Sequence, residues 1–275
     1  MARSVVERTL AGLTDSIEQS LFAEEIAREP GALQTVDPRV KIVGFLAILL
    51  AVAFARNLWV LLILYALALL LAWVSRVPLG RFVKRVWLAL PFFTGLVAIP
   101  VIFNFITPGV PVVVLSTSPY IAITEQGLRA ASFLILRVGT SISFAILLVL
   151  VTPWATLLRA LSVLKVPAVF LLVLGMTYRY IYLLLRTSSD MFMARQSRVV
   201  GRLQAADQRR VVTNTMGNLL SKSYDMSQDV YLAMLSRGYR GRPRTLDQFK
   251  MTGRDWLWAA GLVAAAIVAG VLGGR

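Results

Sequence analysis

One apolar stretch of the chain, Leu128–Val151, reads LRAASFLILRVGTSISFAILLVLV and carries two charged side chains, Arg129 and Arg137. A helix that spans the hydrocarbon core of a bilayer needs about 20 mostly apolar residues. The stretch is therefore long enough to cross a membrane. Arg137 lies inside it, and two interpretations of this residue stay open. It marks a functional site, or it has a structural role, in which it extends towards the membrane surface or bonds backbone carbonyls and Asn104.

Further apolar segments predict additional membrane spans on both sides of this stretch. They are Val40–Ala55, Leu58–Val74, Val86–Ile106 and Trp256–Leu272. Of all residues, 57% are hydrophobic and 16% are charged, whereas soluble domains carry about 25% charged residues. We expect an all-α integral membrane protein with about five transmembrane helices and a cytoplasmic coupling domain of long helices.

The distribution of basic residues predicts the orientation, because cytoplasmic loops are enriched in lysine and arginine. The connection after the second span contains Arg76, Arg81, Lys84 and Arg85. The connection 107–126 contains no basic residue. We therefore place the N-terminus in the cytoplasm of a multi-pass protein of the cell membrane. Four regions are predicted: a cytoplasmic N-terminal segment 1–39, a four-helix transmembrane region 40–151, a cytoplasmic coupling domain 152–255 and a C-terminal transmembrane helix 256–275.

The apolar stretch Pro167–Leu185 is ambiguous. If it crossed the membrane, the 13 basic residues between Arg186 and Arg254 would lie outside, against the tendency of basic residues to stay in the cytoplasm. Arg179 would then also lie near the middle of the bilayer, at a considerable cost. We therefore expect this stretch to form a long helix at or under the cytoplasmic surface of the membrane.

Several kinds of chemistry are excluded by composition. The chain contains no cysteine and no histidine, so it has no thiolate nucleophile, disulfide, zinc cluster or imidazole base. It has no Gly-x-x-x-x-Gly-Lys-Ser/Thr phosphate loop, so we expect no ATP hydrolysis by this chain alone. Asp225 and Asp229 stand one helical turn apart and are interpreted as solvated charges. We expect no catalytic residue, metal site or cofactor here, and no nucleic-acid partner.

The predicted coupling domain 152–255 is rich in basic residues, and we call it the basic region. Mostly apolar residues recur there at helical spacing along one stripe, which comprises Val212, Met216, Leu219, Ser223, Met226, Val230 and Ala233. Such a stripe predicts a helix that packs against a partner. The nearest partner is the preceding helix, predicted at 167–198 and separated from the stripe by a turn that contains Gly201. The second helix should end near Gly238. Residues 10–29 predict an amphipathic helix, either solvated or docked on the basic region.

Both predicted helices of the basic region end in similar tripeptides, Ser197-Arg198-Val199 and Ser236-Arg237-Gly238. A cation at a helix C-terminus is favourable by about 0.3–1 kcal/mol because it interacts with the helix dipole. That effect accounts for either arginine alone but not for the repetition. We therefore interpret the two helix ends as paired contact points.

In these tripeptides the chain resembles the transmembrane T component of energy-coupling factor transporters, the EcfT/CbiQ family. That family is marked by two X-Arg-Gly motifs, with a small residue at X, at the ends of two cytoplasmic coupling helices. The second tripeptide matches fully, whereas Val199 replaces the glycine of the first. The resemblance extends from about Asp37 to Asp247 and includes four further matches in order: Asp37-Pro38-Arg39-Val40-Lys41, Thr152-Pro153, Val166-Pro167 and Tyr178-Arg179-Tyr180.

The resemblance implies a scaffold that couples two ABC-type ATPase subunits to a separate substrate-binding membrane protein, the S component. ATP and Mg would be bound by the ATPases. In the family the motif arginines dock into grooves of the ATPases, which implies an ATPase-coupling role for Ser197, Arg198, Val199, Ser236, Arg237 and Gly238. Six methionines are candidates for S-component contacts or for core packing, namely Met176, Met191, Met193, Met216, Met226 and Met234.

The expected function is therefore that of the T subunit of an energy-coupling factor importer for a micronutrient, a vitamin or a nickel or cobalt ion. Two alternatives stay open. A stand-alone secondary transporter predicts paired acids or broken helices at mid-membrane and an internal repeat. A membrane-bound lipid-modifying enzyme predicts activity of the purified single subunit. The sequence does not identify the substrate, because in the preferred interpretation the ligand pocket belongs to the S component.

Overall fold

The computed structural model of the chain describes residues 12, 26, 27, 29, 31–90, 94–103, 111–117, 120–198, 205–241 and 251–274. These ranges contain nine α-helices and one small antiparallel hairpin, so the protein is an all-α membrane protein, as expected. The predicted helix at residues 10–29 lies almost wholly outside the described residues, as do Asn104, Val199 and Gly201.

The elements follow one another along the chain as α1 (Pro38–Phe54), α2 (Leu58–Val74), α3 (Leu79–Leu90), α4 (Leu96–Ile102), β1 (Pro111–Thr117), β2 (Tyr120–Thr124), α5 (Glu125–Val151), α6 (Trp154–Val163), α7 (Ala168–Gln196), α8 (Ala205–Ser236) and α9 (Gly253–Gly274). They divide between two compact units. Unit I comprises Ile26–Trp154 and Phe249–Arg275, and unit II comprises Ala155–Gln248 with Met1–Glu25.

Unit I is built around α5, which packs against α1, α2, α3 and α4, while α9 packs mainly on α1. The rings of Phe45 and Phe144 meet edge to face, with centroids 5.6 Å apart, and join α1 to α5. The close approach of α1 and α9 requires glycine, since a Cβ atom on Gly44 would lie 2.6 Å from the Leu262 side chain. Small residues allow helices to pack this closely in membranes.

Unit II contains α6, α7 and α8. The predicted packing of α8 on the preceding helix is confirmed, because α7 and α8 are in contact. The predicted stripe is only partly covered: Met216 and Ala233 are exposed, and its other members are half-buried. The fully buried residues of α8 are Val211 and Thr215, one position before the first two residues of the stripe.

Most predicted spans match observed helices. The prediction for Leu58–Val74 is confirmed to the residue, whereas α5 and α9 each begin three residues before the predicted start. The bounds predicted at Val86–Ile106 are wrong, because α3 begins at Leu79 and α4 ends at Ile102. Residues 91–93, between these two helices, lie outside the described residues.

The connection at 107–126, for which no secondary structure was predicted, contains the hairpin. Strands β1 and β2 pair antiparallel, with Pro111 opposite Thr124 and Thr117 opposite Tyr120. Valine and isoleucine dominate both strands, and β-branched residues favour this structure. Thr124 ends the hairpin and caps α5, because its hydroxyl accepts a hydrogen bond of 3.1 Å from the Gly127 amide. The hairpin does not alter the all-α class.

Three helices among the described residues are long and apolar enough to cross a membrane: α5, Ala168–Arg195 within α7, and α9. Leu58–Val74 and Trp154–Val163 are shorter apolar helices. Length and composition therefore permit α7 to cross. The placement of this helix at the cytoplasmic surface stays a prediction based on charge.

Candidate functional site

The tripeptide Ser236-Arg237-Gly238 ends α8 in a Schellman turn. The Tyr239 amide donates to the Met234 carbonyl at 3.0 Å, and the Gly238 amide donates to the Leu235 carbonyl at 2.9 Å. Gly238 has a φ of 79°, which is the left-handed conformation this turn requires. Open space surrounds its missing Cβ. The glycine is therefore needed for its backbone conformation and not for close packing.

The first tripeptide ends α7 in a similar way as far as the structure describes it. The Ser197 amide donates to the Met193 carbonyl at 3.1 Å, and the Arg198 amide donates to the Arg195 carbonyl at 3.0 Å. Val199, where the family motif has glycine, lies outside the described residues. The effect of that replacement thus stays a prediction.

The two motif serines make the same contact. The Ser197 hydroxyl donates to the Ala194 carbonyl at 2.9 Å, and the Ser236 hydroxyl donates to the Ala233 carbonyl at 3.0 Å. Each hydroxyl is thereby turned back onto its own helix. Arg198 and Arg237 follow directly and are exposed. Helices α7 and α8 thus both end at an arginine whose guanidinium is solvent-accessible.

An exposed guanidinium on an ordered turn is suited to binding a carboxylate. Its planar group donates two parallel hydrogen bonds to one carboxylate, which gives both strength and orientation. Asp225 and Asp229 on α8 are themselves exposed. Within the ranges that the structure describes, no three carboxylates, imidazoles or thiolates group as metal ligands. The helix ends therefore offer ionic recognition.

The six candidate methionines differ in their surroundings. Met193 and Met216 are exposed, and four are half-buried: Met176, Met191, Met226 and Met234. The exposed pair is available to a partner, whereas the half-buried residues contribute to packing within unit II. The methionines therefore do not form one surface.

An apolar face of α8 was missed by the sequence analysis. Leu220, Tyr224 and Leu232 are between 61% and 74% exposed. Leu220 and Tyr224 line a shallow groove together with Gly217, Ser221, Ser223 and Ser227. The signal in the sequence is the spacing of small residues four apart, Gly217 with Ser221 and Ser223 with Ser227, which is typical of helix contacts in membranes.

The structure resolves the two interpretations of Arg137 in part. Its guanidinium donates to the carbonyl of Ala55, the residue that ends α1, at 2.7 Å. Bonding to a backbone carbonyl is confirmed, while the other named partner, Asn104, lies outside the described residues. The carbonyls of a helix's last turn have no partner within the helix. Arg137 therefore satisfies one of these carbonyls.

The chain matches the family model described as cobalt transport protein, CbiQ, over residues 31–246. An uncharacterised protein of Methanocaldococcus jannaschii is 38% identical over 241 residues, which cover 88% of this chain and 82% of that protein. The energy-coupling factor transporter transmembrane protein EcfT of Lacticaseibacillus paracasei is 29% identical over 83% of this chain and 89% of its own length. The cobalt transport protein CbiQ of Rhodobacter capsulatus is 28% identical over 57% of this chain and 64% of its own.

The matched residues include both helix ends of unit II and nearly all described helices of unit I. The match thus covers well over half of the chain. The chain belongs to the EcfT/CbiQ family of transmembrane transporter components.

Proposed function

We propose that this chain is the T subunit of an energy-coupling factor importer, a scaffold that transmits motion from two ABC-type ATPases to a membrane-embedded S component. The relatives named EcfT support a place in a complex with other subunits. In this proposal the ATPases bind and hydrolyse ATP, and the S component binds a vitamin or a nickel or cobalt ion. The chain itself is not an enzyme.

The observation that carries the proposal is the matched geometry of the two helix ends. Two helices of one unit end in Ser-Arg, both serines bond back to an alanine carbonyl three residues earlier, and both arginines are exposed. Each ATPase presents an acidic groove to one guanidinium. Closing of the ATPase dimer would then displace both helix ends of unit II, which lies on the cytoplasmic side of the membrane.

The apolar face of α8 is the surface that we assign to the S component. A contiguous exposed apolar surface rimmed by polar groups is typical of a protein contact. Leu220 and Tyr224 supply apolar area there, while Gly217 and Ser221 allow another helix to approach closely. Exposed Met216, one turn away, adds a flexible side chain that can adapt to more than one partner.

The alternative functions have less support. A secondary transporter driven by protons needs an acid that exchanges protons within the membrane region. Asp255, a buried acid at the start of α9, accepts hydrogen bonds from the Asp37 amide and from the Thr252 amide and hydroxyl at 2.7–2.9 Å. A carboxylate held by three donors favours its charged form, which suits a structural cap better than a proton carrier.

The test is charge reversal at the two arginines in a complex assembled with its ATPases. Arg198→Glu and Arg237→Glu should each weaken ATPase binding by about 30-fold or more, since loss of one partner in a buried ion pair costs about 2 kcal/mol at least. Substrate uptake should fall with it. Binding is measured as ATPase recovered with the purified chain, and uptake is measured in reconstituted vesicles.

Each variant has a matched control on the same helix. Arg186→Glu on α7 and Lys222→Glu on α8 reverse an exposed charge away from the helix ends. Both should retain the ATPases and support uptake. Normal ATPase recovery with Arg198→Glu and Arg237→Glu, or equal losses in the controls, would contradict the proposal.

A further inference from the structure

A buried polar cluster lies in unit I where three helix ends meet. We call it the root cluster and define it as Asp37, Lys41, Thr252, Asp255 and the carbonyl of Val151. Lys41 is 1% exposed, Asp255 4% and Asp37 7%. Charged groups are seldom buried this fully unless they are paired or hydrogen-bonded. The cluster plays no part in the ATPase contacts proposed above.

Its hydrogen bonds connect α1, α5 and α9. The Lys41 ammonium donates to the Val151 carbonyl at 3.2 Å, which joins α1 to the last residue of α5. Asp255 accepts from the Asp37 amide at 2.9 Å, which joins α9 to the residue that caps α1. Lys41 thus joins the start of α1 to the end of α5, and Asp255 joins the start of α9 to the residue that caps α1.

The cluster coincides with the two places where the chain leaves and re-enters unit I. The chain passes into unit II at Ala155, four residues after Val151. It returns at Phe249, three residues before Thr252. Both links between the units therefore begin within a few residues of groups that Lys41 and Asp255 hold.

We propose that Lys41 is a positioning residue for energy coupling. It fixes the end of α5 to the start of α1, where Asp37 also holds Asp255 of α9. Displacement of unit II is thereby passed into the helices of unit I instead of being absorbed at the links. This inference rests on the proposed function for its consequence in transport, while the positioning itself is a property of the chain alone. A neutral side chain at position 41 would leave the Val151 carbonyl without its donor.

The first test measures coupling in the assembled transporter with Lys41→Met, which keeps the length of the side chain and removes its charge. Uptake per ATP hydrolysed should fall by about tenfold, within the 5–150-fold range typical of coupling between sites. ATPase recovery should stay as in the wild type. Lys41→Arg keeps a cationic donor and should restore most of the ratio. A merely structural role would lower uptake and hydrolysis together, and an unchanged ratio would overturn the proposal.

The second test needs no partner and therefore separates this inference from the proposed function. The chain has no cysteine, so Val149→Cys and Met251→Cys, both exposed in the wild type, can carry a pair of spin labels on either side of the root cluster. The distance distribution between the labels should be narrow in the wild type and broad in Lys41→Met. Lys84→Met, the same substitution at an exposed site of unit I, should leave it narrow.

Loss of the ATPases from the wild-type complex would refute the proposed function and leave the label measurement standing. An equally narrow distribution in Lys41→Met would overturn the positioning role. Should Lys41→Met not accumulate, Thr252→Val removes the hydroxyl donor to Asp255 at the exposed edge of the cluster. It should broaden the distribution and lower uptake per ATP to a smaller extent, and no change in either would equally overturn the proposal.

Discussion

At the scale of single residues, two cations each bond a carbonyl at the C-terminal end of the neighbouring helix in the pair α1 and α5. Lys41 of α1 bonds the last residue of α5, and Arg137 of α5 bonds Ala55 at the end of α1. In α1, Lys41 lies 14 residues before Ala55, and in α5, Arg137 lies 14 residues before Val151. Fourteen residues correspond to about 21 Å along a helix. Each helix C-terminus is thus capped by a cation of its neighbour.

Arg137→Met should destabilise unit I by about 2 kcal/mol, because hydrogen bonds to charged groups contribute about 1.5–3 kcal/mol. Thermal unfolding in detergent, followed by tryptophan fluorescence, should show a midpoint lower by roughly 4–8 °C. Arg129→Met on the same helix changes an exposed arginine and should have little effect. A midpoint for Arg137→Met at or above that of the wild type would refute the capping role.

Arg137, Lys41 and Asp255 were not equally predictable from the sequence. For Arg137, backbone bonding was one of two interpretations, because a buried cation in an apolar stretch has few other partners. Lys41 appeared only as part of a motif shared with the family. Asp255 was missed, since its bond to Asp37 joins residues 218 positions apart and no local pattern indicates a contact of that range.

At the scale of helices, backbone conformation decides how the ends are built. Gly238 lies in the left-handed region at the end of α8, and Arg76 and Lys165 adopt the same region with φ of 56° and 66° after α2 and α6. In each of the last two turns a Val-Pro dipeptide follows and the next helix begins. The left-handed conformation costs a residue other than glycine about 1–2 kcal/mol, and favourable interaction of a cation with the helix dipole offsets part of that cost.

Gly238→Ala and Gly217→Ala should change stability in opposite directions, although both glycines belong to α8 or its cap and have open space around the missing Cβ. Gly238→Ala should destabilise by about 1 kcal/mol because of its left-handed backbone. Gly217→Ala should stabilise by about 0.8–1 kcal/mol because it lies inside the helix. Midpoint shifts of the same sign in thermal unfolding would show that backbone conformation does not distinguish the two sites.

Local sequence patterns predicted where most helices lie better than they predicted the structure of the segments 86–106 and 107–126. Apolar length located α2, α5 and α9 to within three residues. The bounds of the segment 86–106 were mispredicted because apolar content alone does not mark where a helix begins or ends. The hairpin was not predicted because its strands lie in a proline-containing connection. The covered face of α8 was only approximately predicted, since burial depends on which side α7 approaches.

At the scale of the whole molecule, the orientation of unit II depends on whether α7 crosses the bilayer. Its length and composition permit crossing, yet the basic residues that follow favour the cytoplasm. A single cysteine at Arg202 in the cysteine-free chain should react with a membrane-impermeant maleimide only after the cells are permeabilised. Labelling in intact cells would place unit II outside the cell, where its helix ends could not contact cytoplasmic ATPases.

The central claim, that the two helix ends contact ATPases, is tested most directly by site-specific photo-crosslinking in the assembled membrane complex. A photoreactive amino acid replaces Arg198 or Arg237, and Arg186 or Lys222 serves as the matched control. We predict adducts that contain an ATPase subunit from positions 198 and 237 and none from 186 or 222. Absence of ATPase adducts from both arginine positions, with adducts from the control positions, would contradict the claim.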